Sequence, residues 1–207
     1  MNTTIRQQST SSHTHQPRSS MAMAILCCGL VHTASVYAAD WQVDKGHTHI
    51  GFSVGGFAGT SGSFGNFDGQ IKGDLTDPAH LSTHFVVQAG SITTGLGIRD
   101  DALRGSSFFN VSKFPTVEFT STQVTPIDAQ RVKMRGDVTM LGVTKPAEFI
   151  IVSEKPIVDP ITKNITIKNT ATGTINRDDW GMSTYVPGVD REIKIQVDGV
   201  LTKNGTP

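Results

Sequence analysis

From Asp40 onward, apolar and polar residues alternate with a period of two. Ile50, Phe52 and Val54 alternate with Gly51, Ser53 and Gly55, and Phe85 and Val87 with His84, Val86 and Gln88. The run Ile165, Ile167, Asn169, Ala171, Gly173, Ile175 alternates with mostly threonines, and Ile193, Ile195, Val197 with Lys194, Gln196, Asp198. Successive strand residues point to opposite faces, so each run predicts a strand with one apolar and one wet side. Asp77-Pro78, Pro126-Ile127-Asp128, Asp159-Pro160 and Pro187-Gly188 separate them as turn signals, while Asp68-Gly69 fits a hairpin turn or a bulge. No long helical period appears. Sheets with one apolar face and no helices to cover it form a sandwich or close on themselves. About eight strands follow one another in hairpin order, which favours an all-β, eight-stranded antiparallel barrel of the up-and-down kind.

One stretch breaks the alternation. Ser91-Ile92-Thr93-Thr94 reads as a strand, and Val117-Glu118-Phe119-Thr120-Ser121 as another. Between them Arg99-Asp100-Asp101-Ala102-Leu103-Arg104 predicts one short helix, acids early and a base late, as the helix dipole favours. Phe108, Phe109 and Phe114 follow with no period of their own and need an apolar partner. Together with Leu96, Ile98 and Leu103 they exceed what one helical turn buries, so they either plug a barrel end or line a way in.

Residues 1–38 read as a secretory signal peptide. Arg6 and Arg18 precede an apolar run from Met21 to Val31, and Val36 and Ala38 supply the small residues for cleavage. Gly29, His32 and Ser35 interrupt the run well short of the roughly 20 residues of a membrane span. The expected mature domain, 39–207, is therefore periplasmic, monomeric or weakly dimeric, and not stably inserted in a membrane. Cys27 and Cys28 both lie in the leader, so no disulfide or thiol chemistry is expected. Lys plus Arg and Asp plus Glu are 18 each, and loss of Arg6 and Arg18 leaves a mature charge of −2. That argues against nucleic acid or an anionic membrane surface as the main partner. Aromatics at 7% are too few for the girdles of an outer-membrane barrel.

The Ser-Ile-x-Thr strand, Arg-Asp helix, Phe108-Phe109 pair, Phe114-Pro115 and Phe119-x-Ser121 strand resemble, in order and spacing, the signature of the YceI-like family of periplasmic polyisoprenoid-binding proteins. Three further segments are similar to that family. They are His47-Thr48 through Gly69, Gly136-Asp137-Val138-Thr139 through Thr144-Lys145-Pro146, and Arg177-Asp178-Asp179-Trp180-Gly181. One departure is Gly56-Phe57, where many members carry His-Leu. The resemblance implies a lipocalin-like barrel that holds a long-chain isoprenoid or related apolar lipid, without a cofactor, for transport, storage or stress protection.

Candidate chemistry is sparse. His47 and His49 have a metal-ligand spacing, but no cysteine or histidine-rich partner accompanies them, so a structural role is expected and no metal. Arg99-Asp100 and Arg177-Asp178-Asp179 read as acid, base and anion clamp, or as structural pairs at a barrel rim. The structural reading is preferred, with one arginine free to meet a ligand head. No Gly-x-Ser-x-Gly elbow and no phosphate loop occurs. A non-enzymatic binding protein is expected; the alternatives are an enzyme acting on a lipid head group through Asp100, Arg99 or His47, and a non-specific stress-protective protein. The cluster Phe108, Phe109, Phe114, Trp180 and Met182 suits core and pocket equally by its residues, and the resemblance points to pocket. The expected apolar wall is Phe52, Val54, Phe57, Phe119, Met140, Trp180 and Met182, with Ile98, Leu103, Phe108 and Phe109 at its mouth. Arg99, Asp100, Arg177 and Asp179 form a polar rim or a structural set.

Overall fold

The computed structural model describes residues 40–56 and 58–204. The expected signal peptide, residues 1–38, and the expected pocket residue Phe57 lie outside these. Twelve strand segments hydrogen-bond into one antiparallel sheet. They are β1 (Asp40–Val43), β2 (His49–Val54), β3 (Thr60–Phe64), β4 (Phe67–Lys72), β5 (Ser82–Gln88) and β6 (Ile92–Thr93), then, after helix α1 (Gly97–Arg104), β7 (Thr116–Pro126), β8 (Arg131–Met140), β9 (Val143–Ser153), β10 (Ile157–Val158), β11 (Ile165–Asn176) and β12 (Glu192–Lys203).

The registers resolve these segments into eight staves. β1 and β2 pair successively with one edge of β12, Gln42 opposite Thr202 and Val54 opposite Ile193. β3 and β4 return along them, and β5 and β6 follow. Each later stave pairs with the next in sequence, and β12 also pairs along its whole length with β11, which closes the ring. This is the closed eight-stranded antiparallel barrel with one α-helix expected from the alternation. The breaks in two staves coincide. Gly65 and Asn66 hydrogen-bond to Ser91 of the 3-10 turn Ala89–Ser91, so the wall bends at one level. A register shift between Ser121 and Gln123 sets Val124 on the same face as Ser121.

Asp68-Gly69 is neither turn nor bulge; it lies inside β4. The glycine is required by close approach: a Cβ on Gly69 would stand 2.5 Å from the Phe85 ring. The pattern repeats around the wall. Phe52 lies over Gly62, Phe119 over Gly136 and Phe149 over Gly173, each ring atom under 3 Å from the missing Cβ. Four phenylalanines thus lie along the wall over glycines on neighbouring strands. Rings held this way leave the barrel axis free.

The two ends differ. At one end the links are the loop 73–81, the turn 127–130 and the segment 154–164. At the other they are 55–59, the α1 segment 94–115, the Leu141-Gly142 turn and the segment 177–191. The second end holds the main core: Val138, Met140, Ile175, Trp180 and Met182 are buried, with Phe108 and Phe109 packed on them.

Candidate functional site

The barrel encloses a cavity of about 740 Å³. Its wall comes from the apolar phase of every stave, among them Phe52, Phe85, Phe119, Phe149 and Ile195. These side chains point inward yet are only half-buried, as expected when a lumen is hollow. The volume lies within the range of small-molecule pockets, and an eight-stranded barrel has room for one such ligand.

The floor is aromatic. Phe109 meets Phe64 edge-on at 5.7 Å between ring centroids, and Phe64 meets Phe52 at 5.7 Å. Met140 and Ile175 complete it. The opposite end opens to solvent between Leu75–Leu81, Pro126–Arg131 and Ser153–Pro156, where the lining becomes polar and exposed: Asp128, Gln130, Glu154 and Lys155. Of the polar groups in the wall, the buried Thr83 hydroxyl has no partner, and others are engaged with protein. Ser153 donates to Asn169 at 2.6 Å, Asn169 to the Ile167 carbonyl, and Thr48 Oγ1 accepts from Val200 N–H.

Among the residues expected to form the pocket, Phe52, Phe109, Phe119 and Met140 line the cavity. Val54, Leu103, Phe108, Trp180 and Met182 do not; Trp180 and Met182 are buried beneath the floor, and Trp180 Nε1 donates to the Val138 carbonyl at 3.2 Å. Ile98 is 84% exposed on the outside of α1. The helix segment therefore sits at the closed end of the cavity, and the opening lies at the other. Phe64, Phe85, Val87, Phe149, Ile195 and Val197 were not singled out, although each lies on the apolar phase of its strand. In a hollow barrel that phase is itself the signal.

The Arg and Asp residues hold the closed end together. Arg177, 2% exposed, donates Nε to the Asp190 carbonyl, Nη1 to that of Met182 and Nη2 to that of Val189. It thereby fixes the segment 177–191. Buried Asp100 accepts from the Thr94 hydroxyl at 2.6 Å, the Thr94 N–H and the Thr93 hydroxyl. The Thr94 hydroxyl bond above all holds its carboxyl below the usual carboxylate range, against the opposing effect of burial. Arg99 donates to Thr94 Oγ1 and its carbonyl, and Arg104 to the carbonyls of Gly90 and Ile92. So α1 is tied to the wall by polar groups rather than by an apolar face. Asp179 is exposed, and its neighbour Asp178 pairs with Arg191 at 2.9 Å. None of Arg99, Asp100, Arg177 and Asp179 lines the cavity. His47 hydrogen-bonds Asp44 across a turn, and His49 is exposed on β2. Among the described residues no three His, Cys, Asp or Glu side chains converge as a metal site, and no helix is long and apolar enough to cross a membrane.

A YceI-like domain family model matches residues 41–201, which is nearly all of the barrel. The chain belongs to the YceI-like family. A UPF0312 protein of Yersinia pestis (strain Pestoides F) is 33% identical over 181 residues, covering 84% of this chain and 93% of that relative. Among solved structures, Burkholderia cenocepacia BcnA superposes with a TM-score of 0.68 at 19% identity, over 77% of this chain and 99% of BcnA. A polyisoprenoid binding domain from Saccharophagus degradans, implicated in plant cell wall breakdown, gives a TM-score of 0.59 at 14% identity, over 82% of this chain and all of that domain. At these identities the two structures show the shared YceI-like barrel.

Proposed function

We propose that this YceI-like protein is an exported, periplasmic carrier that holds a long isoprenoid or similar apolar lipid in its lumen, for transport, storage or stress protection. The observation that carries the reading is the hollow lumen of about 740 Å³ walled by apolar side chains and closed by the Phe52–Phe64–Phe109 floor. Each buried CH₂ contributes roughly 0.8 kcal/mol, so a chain of isoprene units gains enough to offset its ordering. The polar rim suits a tail-first orientation, with the head beside Gln130 and Lys155. The polyisoprenoid binding domain of Saccharophagus degradans, with the same barrel, supports the choice of ligand class. Binding rather than catalysis suits a wall made almost wholly of apolar side chains. Asp100 and Arg177, for which a structural role was the preferred expectation, tie the closed end.

Native mass spectrometry of the purified protein is expected to show one lipid per chain, recovered as a single species on solvent extraction. An empty or heterogeneous extract overturns the reading. Ala171 lines the lumen at mid-height on β11, so Ala171→Phe is expected to leave the barrel folded and abolish lipid retention.

A further inference from the structure

Four apolar side chains are exposed on two links of the open end: Ile127, Ile157, Val158 and Ile161, the last at 87%. All belong to the turn 127–130 and the 154–164 segment, the two links that frame one side of the cavity opening. Single exposed apolar residues need no explanation, but a group around one opening does. The segments are joined, since Ser153 N–H donates to the Gln130 carbonyl at 2.8 Å. The tip is also ordered: Asp159 accepts from Ile161 N–H and Thr162 N–H at 2.9 and 2.6 Å. Ile161 is thus presented from a capped turn.

We propose that this rim is a membrane-docking surface whose occupant is a bilayer of zero net surface charge. The apolar tips enter the interface and set the cavity opening against the lipid. Two observations select that occupant. An apolar chain that reaches a lumen opening between these tips would avoid water only if the tips meet lipid, and this step rests on the carrier reading above. The rim's charges also nearly cancel, five acids against four bases, and some of them are paired. Asp128 pairs with Arg131 at 2.7 Å, Asp77 with His80, Asp74 faces Lys203, and Glu154 and Asp159 stand on the same segment as Lys155 and Lys163. Such a rim has no single-signed patch for an anionic membrane or a charged partner to recognise. Attachment then comes from apolar area and is peripheral.

The test is flotation of the full chain with phosphatidylcholine vesicles, against the variants Ile157→Asn/Ile161→Asn and Leu96→Asn/Ile98→Asn. The second pair alters exposed apolar residues at the closed end, and any contribution of residues 21–31 is common to all three chains. The rim pair is expected to lower vesicle partitioning about tenfold, and the closed-end pair to leave it unchanged. High salt or added phosphatidylglycerol is expected to change neither. Ile161→Asn alone, at a side chain too exposed to support the fold, is expected to give part of the loss. Equal flotation of the rim variant overturns the proposal. So do an equal loss in the closed-end variant, dependence on anionic lipid, or chain self-association that the rim pair abolishes in place of vesicle binding. A protein that carries a stoichiometric lipid yet ignores the rim substitutions refutes docking alone; an empty extract refutes the carrier reading instead.

Discussion

The closed end of the barrel carries nearly twice as much linking chain as the open end, and the two ends also bond that chain differently. At the open end the links mainly stabilise themselves, apart from the bond from Ser153 N–H to the Gln130 carbonyl. Asp74 accepts from Thr76 N–H, Asp128 from Gln130 and Arg131 N–H, and Asp159 from Ile161 and Thr162 N–H. At the closed end the bonds run between links. Thr184 Oγ1 donates to the Ser107 carbonyl, Ala58 N–H to the Gly188 carbonyl, and Trp180 Nε1 to the Val138 carbonyl on the wall. Loops that satisfy their own backbone polar groups have no reason to cross the lumen. Loops that satisfy one another's must meet, and so form a floor. Hydrogen-bond partnership, together with the longer links, decides which end a ligand can use.

The largest expected effect comes from breaking the closed end at its centre. Arg177→Met keeps most of the volume but leaves the carbonyls of Met182, Val189 and Asp190 without their donor. A loss of about 3–5 kcal/mol is expected, because each buried carbonyl left unpaired costs its full desolvation. In a domain of this size that is a fall in Tm of roughly 10 °C by thermal melting. Asp128→Asn at the open end is expected to leave Tm nearly unchanged. Equal falls would mean that the ends do not differ in the way described.

The wall between the ends gives a smaller effect. Gly173→Ala places a Cβ 2.6 Å from Phe149 and 2.8 Å from the Glu148 carbonyl. The ring must turn away from the wall into the lumen. A cost of about 1–3 kcal/mol is expected, together with a lower lipid stoichiometry in extracts. Unaltered stability and unaltered loading would show that the ring is not held against the wall.

Much of the architecture was legible in the sequence. Period-two alternation and turn residues every stave gave the barrel, because in a closed sheet each strand is independently two-faced. The α1 segment was legible from Asp100 early and Arg104 late. Its side-chain environment was not. Leu96 and Ile98 looked like material for an apolar entrance, yet both are exposed, since polar ties rather than burial hold the helix. Which end closes depends on bonds such as Thr184 to Ser107, 77 residues apart, and Trp180 to Val138, 42 apart. No local pattern records such pairs. The open rim was missed for the opposite reason: Pro126, Asp128, Asp159 and Pro160 are ordinary turn chemistry, and isolated isoleucines beside them carry no period.

Acid sharpens the same comparison with the smallest effect. The carboxyls of Asp74, Asp128 and Asp159 at the open end and of Asp100 at the closed end all sit below their ordinary range in the fold. For a carboxyl with a depressed folded pKa, the unfolded chain binds more protons as pH falls. Its stabilising contribution is therefore complete above the unfolded value near 3.8 and is lost as pH drops through the folded value. Only Asp100 among the four ties a strand end to a helix, receiving Thr93 and Thr94 from the end of β6 into the first turn of α1. Protonation of the other three loosens a single turn each. Asp100→Asn is accordingly expected to leave a thermal melt flatter between pH 5 and pH 3 than the unaltered chain, with a lower Tm already at pH 5, whereas Asp159→Asn changes that slope little. Amide hydrogen exchange in 94–104 should rise with acid before exchange in β8 or β11 does. If the turn at 159–164 loosens first and α1 stays protected, the closed end is not the one held by its carboxylate, and the contrast between the two ends rests on Arg177 alone.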